Sequence, residues 1–412
     1  MTERLFEAAL GIAAPWLVKA VEFDASAKTL TVMVDFSPGS RFSPDGETAP
    51  CPVHDTVQKR YRHLNFFEHQ CYLVVRTPRV RLQDGSVRLV TPPWVGRLAG
   101  FTLLLEALIL LLCREMPWAA VARMVGVSAH RVGALCERYV ALALEQADHS
   151  SVRHLAIDET SKAKGQSYVT LAADADRRAV LFVGDGRRAE VVCSVATEIE
   201  AHGGDPAKIE SVSIDMSAAF IKGVTQEFPA AQITFDKFHV VAKANEALDR
   251  TRRLERKTSP HLRGIRWALL KDPDDLADHQ RLALEDLLSQ LTTLRTARAW
   301  VYREDLRAIL NCKQINVMRR RLWQWTVNVN RSKVEPMKQV ARMVRTHLEG
   351  IVAWARTRRT NGFLEALNGL FQTAKRRARG YRRLGTIRAV IFLLAGKLDF
   401  TKINPHLGAQ PT

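Results

Sequence analysis

The spacing of hydrophobic positions changes three times along the chain, and each change marks a different kind of element. Over residues 29–36 (TLTVMVDF) apolar and polar positions alternate, which places one face of a strand on a core. Residues 71–76 and 87–91 are short Val- and Leu-rich runs, set apart by Pro, Gly and Asp clusters. Together these segments predict a small antiparallel β module. From residue 95 to about 146 the period becomes helical. Within that stretch, PWAAVARMVGVSAHRVGALCERYV predicts a helix opened by Pro117, a corner at Gly126-Val127-Ser128, and a second helix capped by Ser128. Two helices joined by such a corner form a helix-turn-helix.

Beyond His154 strand patterns return, at residues 154–157, 167–172, 179–183, 211–214 and 232–235, with helical segments between the later ones. Three consecutive strands followed by strands separated by helices predict a mixed sheet whose later members run parallel. Residues 240 to about 359 read as helical throughout, rich in Arg and Lys and interrupted by Pro260 and Pro273. This is an inserted or appended all-α subdomain. The tail after Lys402, with Pro405, Gly408 and Pro411, is expected to be loosely ordered.

Charge narrows the range of partners. Lys and Arg number 61 against 43 Asp and Glu, a formal net charge of +18, so the chain should accumulate on a polyanion. Nucleic acid and an anionic membrane are the candidates. The most apolar run, residues 101–113, holds Glu106 and is well short of the roughly 20 residues that span a bilayer. The basic residues are spread over several helices without a strong amphipathic anchor, which disfavours a membrane surface. Residues 1–36 carry acids from Glu3 onward and lack a basic region followed by an apolar core and cleavage site, so no secretory leader, and a cytoplasmic protein, is expected. Cys51, Cys71, Cys113, Cys136, Cys193 and Cys312 are scattered, as reduced and mostly buried thiols would be.

Candidate chemistry lies at the strand ends. Asp158 follows the first strand of the mixed sheet (HLAIDET) and Asp215 the fourth (SVSIDMS). On neighbouring strands these carboxylates would converge where open α/β sheets place their ligands. Few, hard oxygen donors suit magnesium or manganese, and two such ions support in-line phosphoryl displacement. A third acid is expected on a helix beside the sheet, and RTNGFLEALNGLFQTAKRRARGYRR supplies Glu365. Leu364, Leu367, Phe371 and Ala374 form its apolar stripe, while Asn361, Glu365 and Asn368 share another face. Lys375, Arg376, Arg377, Arg379, Arg382 and Arg383 follow as a phosphate-gripping patch. Asp236 and His239 (TFDKFHVV) open a helix after the fifth strand, and their spacing lets them share a face and hydrogen-bond each other. Each feature also has a plain structural reading, as a helix cap or a solvated face.

The order IDETS, SIDMS with a following FP, FDKFH, then TNGxxExxN with KRRARGYR resembles the transposases of insertion sequences of the ISL-three family. PWLVKAVEFD, VHDT, RHLNFFEH, TPRVR and the helix-turn-helix carry the resemblance over almost the whole chain. It implies a ribonuclease-H-like α/β fold with a mixed sheet, interrupted by the all-α insertion, with Asp158, Asp215 and Glu365 as ligands of two magnesium or manganese ions. Asp236 and His239 match the D-x-x-H motif of related transposases. The implied organisation is a small β, degenerate zinc-ribbon-like module (1–94), the helix-turn-helix (95–150), the catalytic domain in two parts (151–245 and 356–402), the helical insertion between them (246–355), and a tail (403–412). Where the family carries a CPxCG knuckle, this chain reads Ser43-Pro44-Asp45-Gly46, and Leu82 replaces a usual Cys. Cys51 and His54 alone fall short of the four ligands of closed structural zinc, so no zinc is expected.

The implied function is recognition of terminal inverted repeats, with Ser128, His130 and Arg131 at the start of the recognition helix, followed by cleavage and strand transfer. Basic clusters at 250–257, 319–321 and 375–383 would hold the phosphodiester backbone of transposon-end and target DNA. Pairing two ends implies a homodimer or higher assembly on DNA, in a cytoplasmic, nucleoid-associated setting. The rivals are a catalytically inactive or domesticated DNA-binding repressor and a stand-alone nuclease.

Overall fold

The computed structural model describes residues 2–47, 49–163, 167–357 and 361–408. The chain divides into two compact units, Met1–Ala147 with Leu370–Thr412, and Asp148–Gly369.

The first unit opens with helix α1 (Thr2–Leu10) and strands β1 (Trp16–Asp24), β2 (Thr29–Phe36), β3 (Arg41–Phe42), β4 (Cys51–Arg62), β5 (Gln70–Arg81) and β6 (Val87–Leu89). They form one sheet in the order β1-β2-β5-β4-β3, with β6 beside β5. Alternation in β2 holds residue by residue, with Leu30, Val32, Val34 and Phe36 buried. The sheet nonetheless departs from the antiparallel module expected. β2 and β5 pair parallel, Thr29 beside Gln70 through Val34 beside Val75. The intervening chain, carrying β3 and β4, supplies the long connection that parallel neighbours need. β4 has no buried stripe to mark it: its first eight positions alternate between partly and fully exposed, the next two are exposed, and pairing with β5 holds it instead.

Three helices follow: α2 (Leu103–Glu115), α3 (Trp118–Val125) and α4 (Ala129–Leu144). Gly126, at φ 70°, ends α3 in the left-handed conformation that glycine adopts most easily. The Ser128 hydroxyl then accepts from Arg131 N to cap α4, so the helix-turn-helix forms as the sequence predicts. Glu106 is fully buried in α2. It accepts from Arg97 N at 2.8 Å, Leu98 N at 2.7 Å and the Tyr139 hydroxyl at 2.7 Å. The tail departs from expectation over residues 403–408. Asn404 Nδ2 donates to Leu103 O at 2.8 Å and to the Tyr139 hydroxyl at 3.0 Å, and Arg97 donates to Ile403 O. These bonds satisfy buried polar groups that loose chain would leave unpaired. The rest of the tail, 409–412, lies outside the described residues.

The second unit holds β7 (His154–Ala163), β8 (Ser167–Asp174), β9 (Ala179–Asp185), α5 (Ala189–Ala201), β10 (Ser211–Ile214), α6 (Ala218–Glu227), β11 (Gln232–Phe235) and α7 (Lys237–Glu255). Its sheet runs β11-β10-β7-β8-β9. β7, β8 and β9 are antiparallel, while β10 is parallel to both β7 and β11. This is the mixed sheet expected. β7 is longer than its apolar pattern because β8 keeps pairing with it as far as Ala163, after β10 has ended. Helices α8 (Arg266–Leu270), α9 (Asp278–Ser289), α10 (Arg295–Leu310), α11 (Ile315–Arg331), α12 (Glu335–Thr346) and α13 (Leu348–Thr357) follow, and Pro260 and Pro273 each open a 3-10 turn. One continuous hydrophobic core joins Leu155 and Val212 of the sheet to Leu306, Leu322, Trp325 and Met337 of these helices. α14 (Gly362–Arg377) starts in this unit and ends in the first, which α15 (Leu384–Ala395) completes. Among the described residues, no helix is long and apolar enough to cross a membrane.

Candidate active site

Strand register sets three of the predicted acids level with one another. Ser213 lies beside Ala156 and Ile214 beside Phe235, so Asp158 within β7 stands level with Asp215 and Asp236, each one residue past the end of its strand. This is the carboxyl end of the parallel part of the sheet, where such folds gather ligands. Asp158 is 5% exposed and lies within β7, at the point where the strand loses its β10 neighbour. Its Oδ1 accepts from Glu159 N at 2.8 Å and its Oδ2 from Asn368 Nδ2 at 3.0 Å. Asp215 Oδ1 accepts from Ser217 N at 2.9 Å.

The start of α14 is tied to the sheet by amides. Asn361, fully buried, donates through Nδ2 to Ile157 O at 3.3 Å and through its backbone N to Asp236 Oδ2. Asp236 Oδ1 also caps α7 by accepting from Phe238 N at 2.9 Å. Its carboxylate therefore serves two backbone amides rather than His239, whose Nε2 is buried without a partner. Leu364, Leu367 and Phe371 are buried as the stripe predicts. Glu365 lies between the two asparagines in sequence and remains exposed.

Burial pushes the Asp158 carboxyl up to about 6, opposed by its hydrogen bond from Glu159 N and by His239, and reinforced by the charges of Asp215 and Glu365. Desolvation also raises the Glu365 carboxyl, followed by Asp236, with His239 opposing. Acids crowded this way gain from a cation among them. Among the described residues no three His, Cys, Asp or Glu side chains form a ready-made metal cage. The donor chemistry nevertheless fits a hard ion. Carboxylate oxygens face one another's charge, and the Oδ1 atoms of Asn361 and Asn368 are buried beside them without partners, available to a hydrated cation or a phosphate.

Comparison with known proteins identifies the family of the chain. A family described as "Transposase" matches residues 155–391, which include all three proposed acids, and "Helix-turn-helix domain of transposase family ISL3" matches residues 90–140. The transposase for insertion sequence element IS1001 of Bordetella parapertussis is 30% identical over 80% of this chain and 82% of its own length. The chain belongs to the ISL3 family of transposases. The transposase for insertion sequence element IS1557 of Mycobacterium tuberculosis (strain H37Rv) is 25% identical over 95% of this chain and 96% of its own.

Within this ISL3-family chain the candidate DNA-contacting residues differ in their surroundings. His130 is exposed at the start of α4, as is the capping Ser128. Arg131 is not free to reach outward: its guanidinium donates to Ala99 O and lies 3.8 Å from the centre of the Phe101 ring. Arg376, Arg377, Arg379 and Arg382 are exposed and Lys375 is half-buried. Arg383, also exposed, lies 3.5 Å from Glu137. The motif reading leaves aside Glu159, whose carboxyl is raised by burial, held by Arg187 at 3.7 Å, and within the field of Asp215 and His239. The adjacent acids of IDET are the signal for it. Cys71 is buried in the core of the first sheet, and burial pushes its thiol up to about 11.

Proposed function

We propose that this chain is a DNA transposase that binds the terminal inverted repeats of its insertion sequence and catalyses metal-dependent cleavage and strand transfer. Asp158, Asp215 and Glu365 would hold two magnesium or manganese ions on a ribonuclease-H-like sheet. When bound, such ions stabilise charge on the attacking and leaving oxygens of a phosphoryl displacement. The observation that supports this reading is that Asp158 in β7 lies level with Asp215, just past the end of the adjacent parallel strand β10, with Asn368, three residues after Glu365, hydrogen-bonded to Asp158.

The other residues take supporting roles. Asn361 and Asn368 fix the α14 start against β7, and Asp236 fixes it against β11 while capping α7. His239, with an unpartnered buried nitrogen, would donate to a phosphate oxygen. Ser128 and His130 present the start of α4 to the major groove. Arg131 acts by holding α4 to the preceding loop. Lys375, Arg376, Arg377, Arg379, Arg382 and Arg383 grip backbone phosphates. Water then attacks at the element's end, and the freed 3′-hydroxyl attacks target DNA, with two protein copies pairing the ends.

Labelled DNA carrying the element's own ends, incubated with magnesium at equal occupancy by wild type and Glu365→Ala, tests the reading. Wild type should cut and join, and the variant should lose about 10³-fold in rate, the worth of several kcal/mol of charge stabilisation. Binding without reaction by wild type, with manganese and paired ends present, would make the chain a DNA-binding repressor.

A further inference from the structure

A cavity of about 240 Å³ opens within the second unit, beside the first turn of α7. Phe238, Val241 and Asn245 line it from α7, at the spacing of one helix face. His239 lies on a different face of the same helix, so this turn serves the acid site on one side and the cavity on another. Arg303, Arg307 and Leu310 line the opposite wall from α10.

The chemistry of the lining is specific. Phe238 is 46% exposed although the cap residue two positions before it, Asp236, is buried. The Lys237 ammonium lies 5.4 Å from its ring centre and 3.1 Å from Asn311 Oδ1, and among the described residues no carboxylate pairs with it. Asn245 Oδ1 is buried without a hydrogen-bond partner, an acceptor that a ligand's N–H would satisfy. Arg307 faces the cavity paired with Asp272, while Arg303 is buried and donates to Leu269 O. One aromatic face, apolar side chains of Val241, Leu270 and Leu310, one orphan acceptor, and Lys237, Arg303 and Arg307 against the single carboxylate of Asp272 describe a site for a base and its phosphate. The volume is below the roughly 300 Å³ at which pockets hold whole drug-sized ligands, which suits a single base entering with its sugar outside.

We propose that this cavity takes one unpaired nucleotide of the bound DNA: the base stacks on Phe238, its amino group donates to Asn245 Oδ1, and Lys237 meets its phosphate. The proposal rests on the DNA transposase reading. A set of duplexes of the element's end, each with a single abasic site at a successive position, tests it through the affinities of wild type, Phe238→Ala and Phe238→Trp. Phe238→Ala should bind the intact end about tenfold more weakly, the worth of one base–aromatic stack. That loss should vanish at one abasic position, and Phe238→Trp should bind like wild type. A matching duplex with 2-aminopurine at that position should brighten when wild type binds and stay dim with Phe238→Ala. An equal loss on every abasic duplex, or no loss on the intact end, overturns the cavity assignment. Cleavage is scored separately: wild type that binds ends without cutting them counts against the transposase reading and leaves the cavity result standing. Wild type that binds no ends overturns both.

Discussion

Burial holds the Asp158 carboxyl near 6, so at neutral pH the fold carries a desolvated negative charge that the hydrogen bond from Glu159 N and the field of His239 offset only in part. An unfolded chain gives up this proton near the ordinary 3.8 and the folded chain near 6. Folded stability therefore falls as pH rises between those values and stays lowered above them. Asp158→Asn removes the charge, and the amide keeps a role for both donors: its Oδ1 can accept from Glu159 N, and its N–H can meet the unpartnered Asn368 Oδ1 if that amide turns. With chelator present, the variant should be up to about 3 kcal/mol more stable than wild type at pH 7, with the difference shrinking towards pH 4. Added magnesium should stabilise wild type and leave the variant unchanged. Thermal denaturation across that pH range measures both effects, and a variant less stable than wild type at pH 7 without metal would show that Asp158 is held for structure rather than for a cation.

At the scale of elements, the buried Glu106 organises the first unit as much as any hydrophobic contact. It terminates two backbone N–H groups of the loop before α2 and links α2 to Tyr139 of α4, and the Asn404 amide bonds the same hydroxyl. Glu106→Ala would strand all three donors, at a cost of roughly 3–5 kcal/mol, read as a fall in the denaturation midpoint. A loss below about 1 kcal/mol would mean that water replaces the carboxylate there. The sequence shows this residue only as a charge inside an apolar run, because two of its partners are backbone amides and the third, the Tyr139 hydroxyl, is distant in sequence, which no side-chain pattern marks. Gly96 is the one trace, since a Cβ there would meet the Glu106 carboxyl at 2.4 Å. The contrast with the acid site is instructive. β2, α3, α4, β10 and β11 follow from apolar period and cap residues, and the asparagines of α14 reach the sheet at the spacing their helix face implies. The parallel pairing of β2 with β5, the polar strand β4 and the ordered turn at Pro405 depend on long-range partners and carry no local period. Arg131 shows the same limit at a candidate contact: its type suggests DNA, while its position gives it to Ala99 and Phe101.

Across the whole molecule, a net charge of +18 makes affinity for DNA a question of which cations are free to meet phosphate. The three basic clusters are not equivalent. In 250–257, Arg252 and Arg253 are committed to Asp249, and in 319–321 Arg319 forms a two-pronged pair with Glu349 at 2.7 and 2.8 Å. In 375–383, by contrast, Arg376, Arg377 and Arg379 are exposed where α14 ends. Each phosphate contact contributes about 0.9 to the slope of log affinity against log salt. Replacing Arg376, Arg377 and Arg379 together by Gln should flatten that slope by about 2–3. Replacing Arg252 and Arg319 by Gln should leave the slope nearly unchanged, because their charge is already spent on carboxylates within the fold, and the loss of the buried Arg252 pair should lower stability instead. Titrating the element's end at several salt concentrations separates the two sets. Equal flattening by both would mean that the internal pairs open on DNA, and that the charge of the whole surface, rather than the α14 terminus, sets the grip.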